Sequence, residues 1–289
     1  MADLESDRAA FADRLPRLLR ELTQEWGLVV EAPARHGVSS LVVAVRRGAE
    51  AAVLKLAFPD DESAHEALAL QRWGGHGSVH LLSADPHRGA LLLERLHPTD
   101  LTSLDVIEAC EVVAGSYGRL HVPAVPQLRR LTSCVARWSD DLGELPRAAP
   151  VPHRLVQQAV SLGRELSGDA ASDGVLIHGD LHYRNVLAGD RAPWLVIAPK
   201  PLSGDPHYEL APMLWDRWDE VVASGDVRTA VRRRFHTLVD GALLEEDRAR
   251  DWVVVRMLHR ALRELEGHPT APDHDDLTRC IAIAKAVQD

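Results

Sequence analysis

The chain has 289 residues, 46% of them apolar, which is enough for one large domain or two lobes around a real core. Its 33 Lys and Arg against 43 Asp and Glu give a formal charge of −10, which excludes the basic footprint of a nucleic-acid binder and favours a cationic partner. Cys110, Cys134 and Cys280 are far apart and make neither a CxxC pair nor a disulfide framework, the charged start lacks a signal-peptide core, and no apolar run nears the ~18 residues of a membrane span, so a soluble cytoplasmic protein with no membrane partner is expected.

Phe11, Leu15, Leu18, Leu19 and Leu22 recur at helical spacing and predict a helix over 5–25. Leu28–Glu31 and Ser40–Arg46 read as strands, and the Arg47-Gly48 turn leads to a third, Ala51–Ala57. Pro59 and the Asp60/Asp61 pair open a predicted helix over 61–73, with acidic residues at its positive end. Val79–Ser83 and Ala90–Arg95 form a further strand pair that Leu96-His97-Pro98 ends. Amphipathic helices follow at Ile107–His121, 126–142 and 153–167, then two short apolar runs, Val186–Ala188 and Trp194–Ile197. From Tyr208 onward the pattern reads as four helices. Strands thus dominate the first third and helices the rest. The expectation is an α+β chain of two lobes, residues 1–96 strand-rich and 97–289 helical, with the boundary near Leu96–Thr102.

The segment Ile177–Pro201, IHGDLHYRNVLAGDRAPWLVIAPKP, carries the chemistry. His178-x-Asp180 followed by Asn185 has the spacing of a phosphotransferase catalytic loop, H-x-D-x-x-x-x-N. Asp180 is the candidate that orients an acceptor hydroxyl and takes its proton, since a carboxylate is a pure acceptor at neutral pH. Asn185 can offer a carbonyl oxygen to magnesium, and His178 would brace the loop. The plain alternative is a polar turn between strands.

Upstream, Lys55 sits inside the apolar strand AAVLKLAF and needs a partner. Glu66, eleven residues on, supplies one, with Glu62 one turn earlier as the fallback; a Lys–Glu pair of this kind positions the α and β phosphates of ATP. His36-Gly37-Val38-Ser39-Ser40 would cover the phosphates, with Ser39 and Ser40 offering hydroxyls and N–H groups, although it is not G-x-G-x-x-G. In Leu91–Leu96 the backbone of Glu94 and Leu96 would meet adenine and Leu93 would line the pocket; a plain core strand is the alternative.

These motifs, GVSSLVVAV, VLKL, LQRWGG, LLLERL, IHGDLHYRNVLAGDRAPWLVI, PKPLSGDP and VRRRF, resemble the aminoglycoside/hydroxyurea antibiotic resistance kinases, especially the streptomycin 6-phosphotransferase branch, from about Arg35 to Leu265. The resemblance implies a protein-kinase-like two-lobe fold and ATP with Mg2+ as cofactors. It also implies transfer to a hydroxyl of a small, cationic antibiotic. It makes Asp180 the catalytic aspartate, Asn185 a magnesium ligand, Lys55 the phosphate lysine and Glu66 its partner. The family usually has Asp where this chain has Glu209.

One departure is decisive. Where the family reads I-D-P at its second magnesium position, this chain reads Ile197-Ala198-Pro199. A methyl group coordinates nothing, and losing several kcal/mol of metal stabilisation would slow transfer by roughly 10²–10⁴-fold. Ala198 is then an inactivating replacement in a working enzyme, a natural loss that leaves a ligand-binding pseudokinase, or a gap filled by Asp205 or Asp190. The first is favoured, because the surroundings of Ala198 stay kinase-like.

Asp205 has a structural or substrate role near this loop. Asp216, Asp219 and Glu220 sit at helical spacing and can form an acidic rim for amino or guanidino groups; Trp215 and Trp218 fit core packing better than a sugar pocket. A metallohydrolase built on His178, Asp180, His182 and His207 is the remaining alternative, and it leaves Lys55 and Glu66 without a task. No heptad seam is present, so a monomer or weak dimer is expected.

Overall fold

In the computed structural model, which describes residues 2–36, 40–58 and 60–288, the leucine stripe Leu15–Leu22 lies on a long helix, α1 (Ala2–Glu25). Leu18 and Leu22 of α1 bury against Leu41, Val43 and Val45 and against Ala52, Leu54, Leu56, Ala90 and Leu92. These are alternate residues of an antiparallel sheet. Its strands are β1 (Leu28–Val30), β2 (Arg35–His36), β3 (Ser40–Arg47), β4 (Glu50–Ala57), β5 (Leu81–Asp85) and β6 (Ala90–Glu94). The order is β1-β3-β4-β6-β5, with β2 pairing β3 on the side.

Side chains of a strand alternate between faces. Ala52, Leu54 and Leu56 face α1, so Val53, Lys55 and Ala57 face the other way. Lys55 stands opposite Val42 of β3 and Leu91 of β6, on the central strand. Helix α2 (Glu66–Trp73) follows β4. It starts later than the sequence predicts. The Asp60 carboxylate accepts from the backbone N–H groups of Glu62 (2.9 Å) and Ser63 (2.8 Å), and this local turn replaces the first helical turn. The fifth strand also starts two residues late. Val79 is drawn off by a backbone bond to Val196 O (2.9 Å).

Two units divide the chain by packing: Met1–Pro98 with Leu187–Lys200, and Thr99–Val186 with Pro201–Asp289. In the second, α3 (Val106–Leu120) is capped at its start by Asp105, whose side chain accepts from Ile107 N. Then come β7 (Val122–Pro123), α4 (Leu131–Gly143), α5 (His153–Gly168) and β8 (Val175–Ile177). Strands β9 (Val186–Ala188) and β10 (Trp194–Val196) pair with each other. Leu187–Lys200 packs with the first unit, a return that no composition shift announces.

Strand β11 (Leu202–Gly204) pairs antiparallel with β8, which also pairs with β7. Where the pattern reads four terminal helices, the structure has five among the described residues: α6 (Ala211–Trp215), α7 (Trp218–Ala223), α8 (Val227–Ala242), α9 (Glu246–Gly267) and α10 (His274–Ala286). The core of this unit gathers Leu131, Val135, Leu166, Ile177, Tyr208, Trp252 and Val255. No described helix is long and apolar enough to cross a membrane.

Candidate active site

In the first unit, the Lys55 Nζ donates to both Glu66 oxygens at 2.7 Å. The side chains are 14% and 3% exposed. A buried carboxylate persists as an ion only when a cation answers it, so Lys55 and Glu66 hold each other in place. Glu62, the fallback partner, instead pairs with Lys200 at 3.2 Å. Ser40 opens β3 opposite Ala57; Ser39 and most of the candidate phosphate loop lie outside the described residues.

Glu94 ends β6. Its carboxylate accepts from Arg191 and from the His80 N–H (3.1 Å), and its own N–H donates to His80 O (3.0 Å). Leu93 is buried. Leu96 packs near Gly189, where an added Cβ would come within 3.2 Å of the Leu96 side chain. Asp190 is 91% exposed and lies 2.7 Å from the His97 Nε2.

Ala198 follows β10 with φ of +54°. This left-handed region costs an alanine roughly 1–2 kcal/mol, because Cβ crowds the following carbonyl. Asp and Asn are several-fold enriched there. The backbone at 198 thus has the shape that a short polar side chain prefers, while the side chain present offers no oxygen.

In the second unit, the segment His178–Asp180 leaves β8 and is gripped by its backbone. The buried Glu209 carboxylate accepts from His178 N (3.0 Å) and Gly179 N (2.7 Å). At the next peptide, Gly179–Asp180, Arg256 donates to Gly179 O, and it also donates to Tyr208 O (2.8 Å). Its guanidinium lies 4.0 Å over the Tyr208 ring. Burial pushes the Glu209 carboxyl up, but His121, His178 and the Gly179 N–H outweigh it and hold the group below the usual carboxylate range. His121 Nε2 lies 3.8 Å from Glu209, a Coulombic contact too long for a hydrogen bond.

Inside the loop, Asp180 N donates to His178 Nδ1 (3.2 Å). Asn185 Nδ2 donates to Asp180 O (2.8 Å). With its amide nitrogen thus engaged, Asn185 has its carbonyl oxygen as the group left for a cation. Asn185 thus keeps one oxygen that suits a magnesium ion, and in the first unit the Ala198 methyl offers none.

The remaining candidates are engaged elsewhere. Asp205 is fully buried; its carboxylate accepts from Arg248 Nε (2.6 Å), Trp252 Nε1 (2.7 Å) and His207 N (3.0 Å), with His207 Nδ1 at 2.5 Å. Surrounded by donors, it anchors α9 to the turn after β11. The same contact takes His207 out of any ligand set. Among the described residues no three His, Cys, Asp or Glu side chains gather as a metal-holding group, so the metallohydrolase constellation does not assemble.

Asp216 accepts from Arg217 N (2.9 Å) and lies 3.4 Å from His182 Nδ1. Burial raises its carboxyl, and His182 with the Arg217 N–H brings it down below the ordinary value. Glu220 takes the Arg217 guanidinium at 2.6 Å and 2.9 Å. Of the three rim acids, Asp219 and Glu220 are exposed and Asp216 is half-buried. Trp215 lies between the guanidinium groups of Arg256 (5.1 Å) and Arg260 (4.9 Å), a packing role.

Asp205 leads to an acid-stability prediction. Burial pushes its carboxyl up, yet His207 and Trp252 hold it below the ordinary value. A group whose folded pKa is depressed stabilises above its unfolded value, about 3.9, and loses that contribution as pH falls through the folded value. Urea midpoints are expected to hold from neutral pH to about pH 4 and to fall steeply below it, with Glu209 adding to the drop. Asp205→Asn should lower the neutral midpoint and flatten the acid limb; an unchanged limb would remove Asp205 as its source.

Known proteins resemble this chain in sequence and in fold. A family model described as aminoglycoside/hydroxyurea antibiotic resistance kinase matches residues 25–267. A streptomycin 6-kinase of Streptomyces glaucescens is 39% identical over 283 residues, covering 95% of this chain and 91% of that protein. A hydroxyurea phosphotransferase of Kitasatospora aureofaciens is 38% identical, covering 96% and 81%. Among solved structures, a choline kinase from Streptococcus pneumoniae superposes with a TM-score of 0.65 at 13% identity, over 95% of this chain and 99% of that one. An aminoglycoside phosphotransferase in ternary complex with ADP and hygromycin B gives 0.59 at 16% identity, over 93% and 98%. The fold is therefore protein-kinase-like, with a strand-rich N-terminal part and a helical C-terminal part, and the chain belongs to the aminoglycoside/hydroxyurea antibiotic resistance kinase family.

Proposed function

We propose that the chain is built as an ATP-dependent phosphotransferase that O-phosphorylates a small, hydroxylated, cationic antibiotic of the streptomycin type, and that Ala198 impairs it. The observation that carries this reading is the grip on the Asp180 loop. Glu209, Arg256 and Asn185 fix the backbone around Asp180. Such expense in buried charge is understandable where one carboxylate must meet an acceptor hydroxyl accurately.

In this reading Lys55, held by Glu66, neutralises phosphate charge, and Asp180 accepts the hydroxyl proton as the acceptor oxygen forms its bond to the γ-phosphorus and the bond to ADP breaks. Asn185 would hold magnesium, which supplies charge neutralisation when bound. The acidic net charge of −10 favours the approach of a cationic acceptor.

Lys55→Met is expected to lower transfer at least 10²-fold in an Ala198→Asp background, because it removes the phosphate cation and strands the buried Glu66. Steady-state rates at saturating ATP check this; a rate within threefold of the parent would take Lys55 out of the site.

Ala198 also favours a second reading, a natural pseudokinase that binds nucleotide or antibiotic without turnover. Equilibrium binding together with absent transfer after Ala198→Asp would favour that reading over the first.

A further inference from the structure

Arg191 lies on the turn between β9 and β10, and three groups of the first unit converge on it, the Glu94 carboxylate and two backbone carbonyls. Its Nε donates to Glu94 Oε2 (2.9 Å) and its Nη2 to Glu94 Oε1 (2.8 Å). Its Nη1 donates to Gly75 O (2.6 Å), and Nη2 also to Ser78 O. The turn Gly75–Val79 needs its glycine: Gly75 has φ of +82°, and a Cβ there would stand 2.3 Å from the His80 ring. That turn is bonded to β10 through Val196 N to Gly77 O (3.0 Å) and Val79 N to Val196 O (2.9 Å). Val196 stands two residues before Ala198. The β9–β10 hairpin that carries Arg191 also holds the chain just after β6, since His97 N donates to Ala188 O (2.9 Å) and His97 lies 2.7 Å from Asp190.

We propose that Arg191 is a positioning residue for nucleotide binding: one guanidinium fixes the end of β6, at Glu94–Leu96, to the Gly75–Val79 turn that carries the strand leading to position 198. The inference rests on the nucleotide-binding reading of the first unit, in which the Glu94–Leu96 backbone meets the base. The chemistry of the side chain explains its choice. A planar fork serves a carboxylate and two carbonyls at once, and a lysine ammonium has neither the span nor the fixed directions. An exposed single ion pair would be worth little; here the Arg191 and Glu94 side chains are 32% and 19% exposed and the pair is two-pronged, with backbone carbonyls as further acceptors.

The test compares ligands with and without the base, on the full chain. Isothermal titration of ADP and of tripolyphosphate, both with magnesium, is run on the native chain, Arg191→Met and Arg191→Lys. The expected result is an about tenfold weaker ADP Kd for Arg191→Met, as one lost two-pronged bond implies, with tripolyphosphate binding changed less than about twofold. Arg191→Lys should bind ADP nearly as weakly as Arg191→Met. Equal losses for both ligands would make Arg191 a general stabiliser and overturn the proposal, as would unchanged ADP binding or full rescue by lysine. A native chain that binds neither ligand would instead bring down the nucleotide-binding reading itself, and the proposal with it.

Discussion

Ala198→Asp is expected to raise phosphoryl transfer from ATP by about 10²–10⁴-fold over the chain as it stands. Two independent features lead to this figure. The position lacks an oxygen where the family resemblance implies an aspartate, and its backbone holds φ of +54°, a shape that suits Asp better than Ala. Aspartate therefore enters without the backbone rearrangement that usually penalises a new charge. Two controls separate the contributions. Ala198→Gly relieves the Cβ crowding and is expected to stabilise the fold by about 1 kcal/mol without gain in transfer. Ala198→Asn tolerates the same φ but brings no charge, and is expected to recover at most a small part of the rate. Thermal midpoints and initial rates of the three variants distinguish a relaxed backbone from a restored ligand. Equal gains from Gly and Asp would show that strain, not the missing carboxylate, limits the chain.

Glu209→Gln is expected to be the most damaging change away from the reacting groups. The native carboxylate accepts two backbone N–H bonds from His178 and Gly179 in a site without solvent. An amide can accept through its oxygen only, so one N–H then faces an NH2 group. The cost should be about 2–4 kcal/mol of stability, because a buried donor is left without its acceptor and His121 and His178 lose the charge that they face. In the Ala198→Asp background the rate at saturating ATP should fall by about 10–10³-fold, because Asp180 is the next residue along the gripped backbone. Apparent ATP affinity should change little, since Lys55 and Glu66 are held by each other. Urea melts and a kcat against KM comparison test the division. A loss of KM with kcat intact would mean that Glu209 acts through nucleotide binding and not through the Asp180 loop.

Much of the site is legible in short-range pattern. Lys55 announces itself as a charge in a strand whose alternate residues Ala52, Leu54 and Leu56 bury against α1. The Asp180 to Asn185 spacing is local too, and the structure closes it with a 2.8 Å bond. What the pattern does not reveal is long-range polar support. Arg256 is 77 residues from the carbonyl it holds, and Arg191 is 97 residues from Glu94. Neither stands out in its own segment, because a helix or turn arginine looks the same whether it meets solvent or a buried backbone. Asp60 shows a subtler failure. Its charge suits a helix start, but its oxygen competes for the same N–H groups and ends up making a turn. The acidic rim shows the same limit: helical spacing shows which acids share a face, not which have an arginine or histidine beside them, as Glu220 and Asp216 do.

The most direct test of the central claim follows product formation by mass spectrometry after incubation with ATP, magnesium and streptomycin. Three proteins are compared: the chain as it stands, Ala198→Asp, and Ala198→Asp with Asp180→Asn. The account predicts phosphorylated streptomycin from Ala198→Asp, at least 10²-fold less from the native chain, and none above background once Asp180 is also replaced. Equal product from the native chain and Ala198→Asp, or undiminished product without the Asp180 carboxylate, would contradict it.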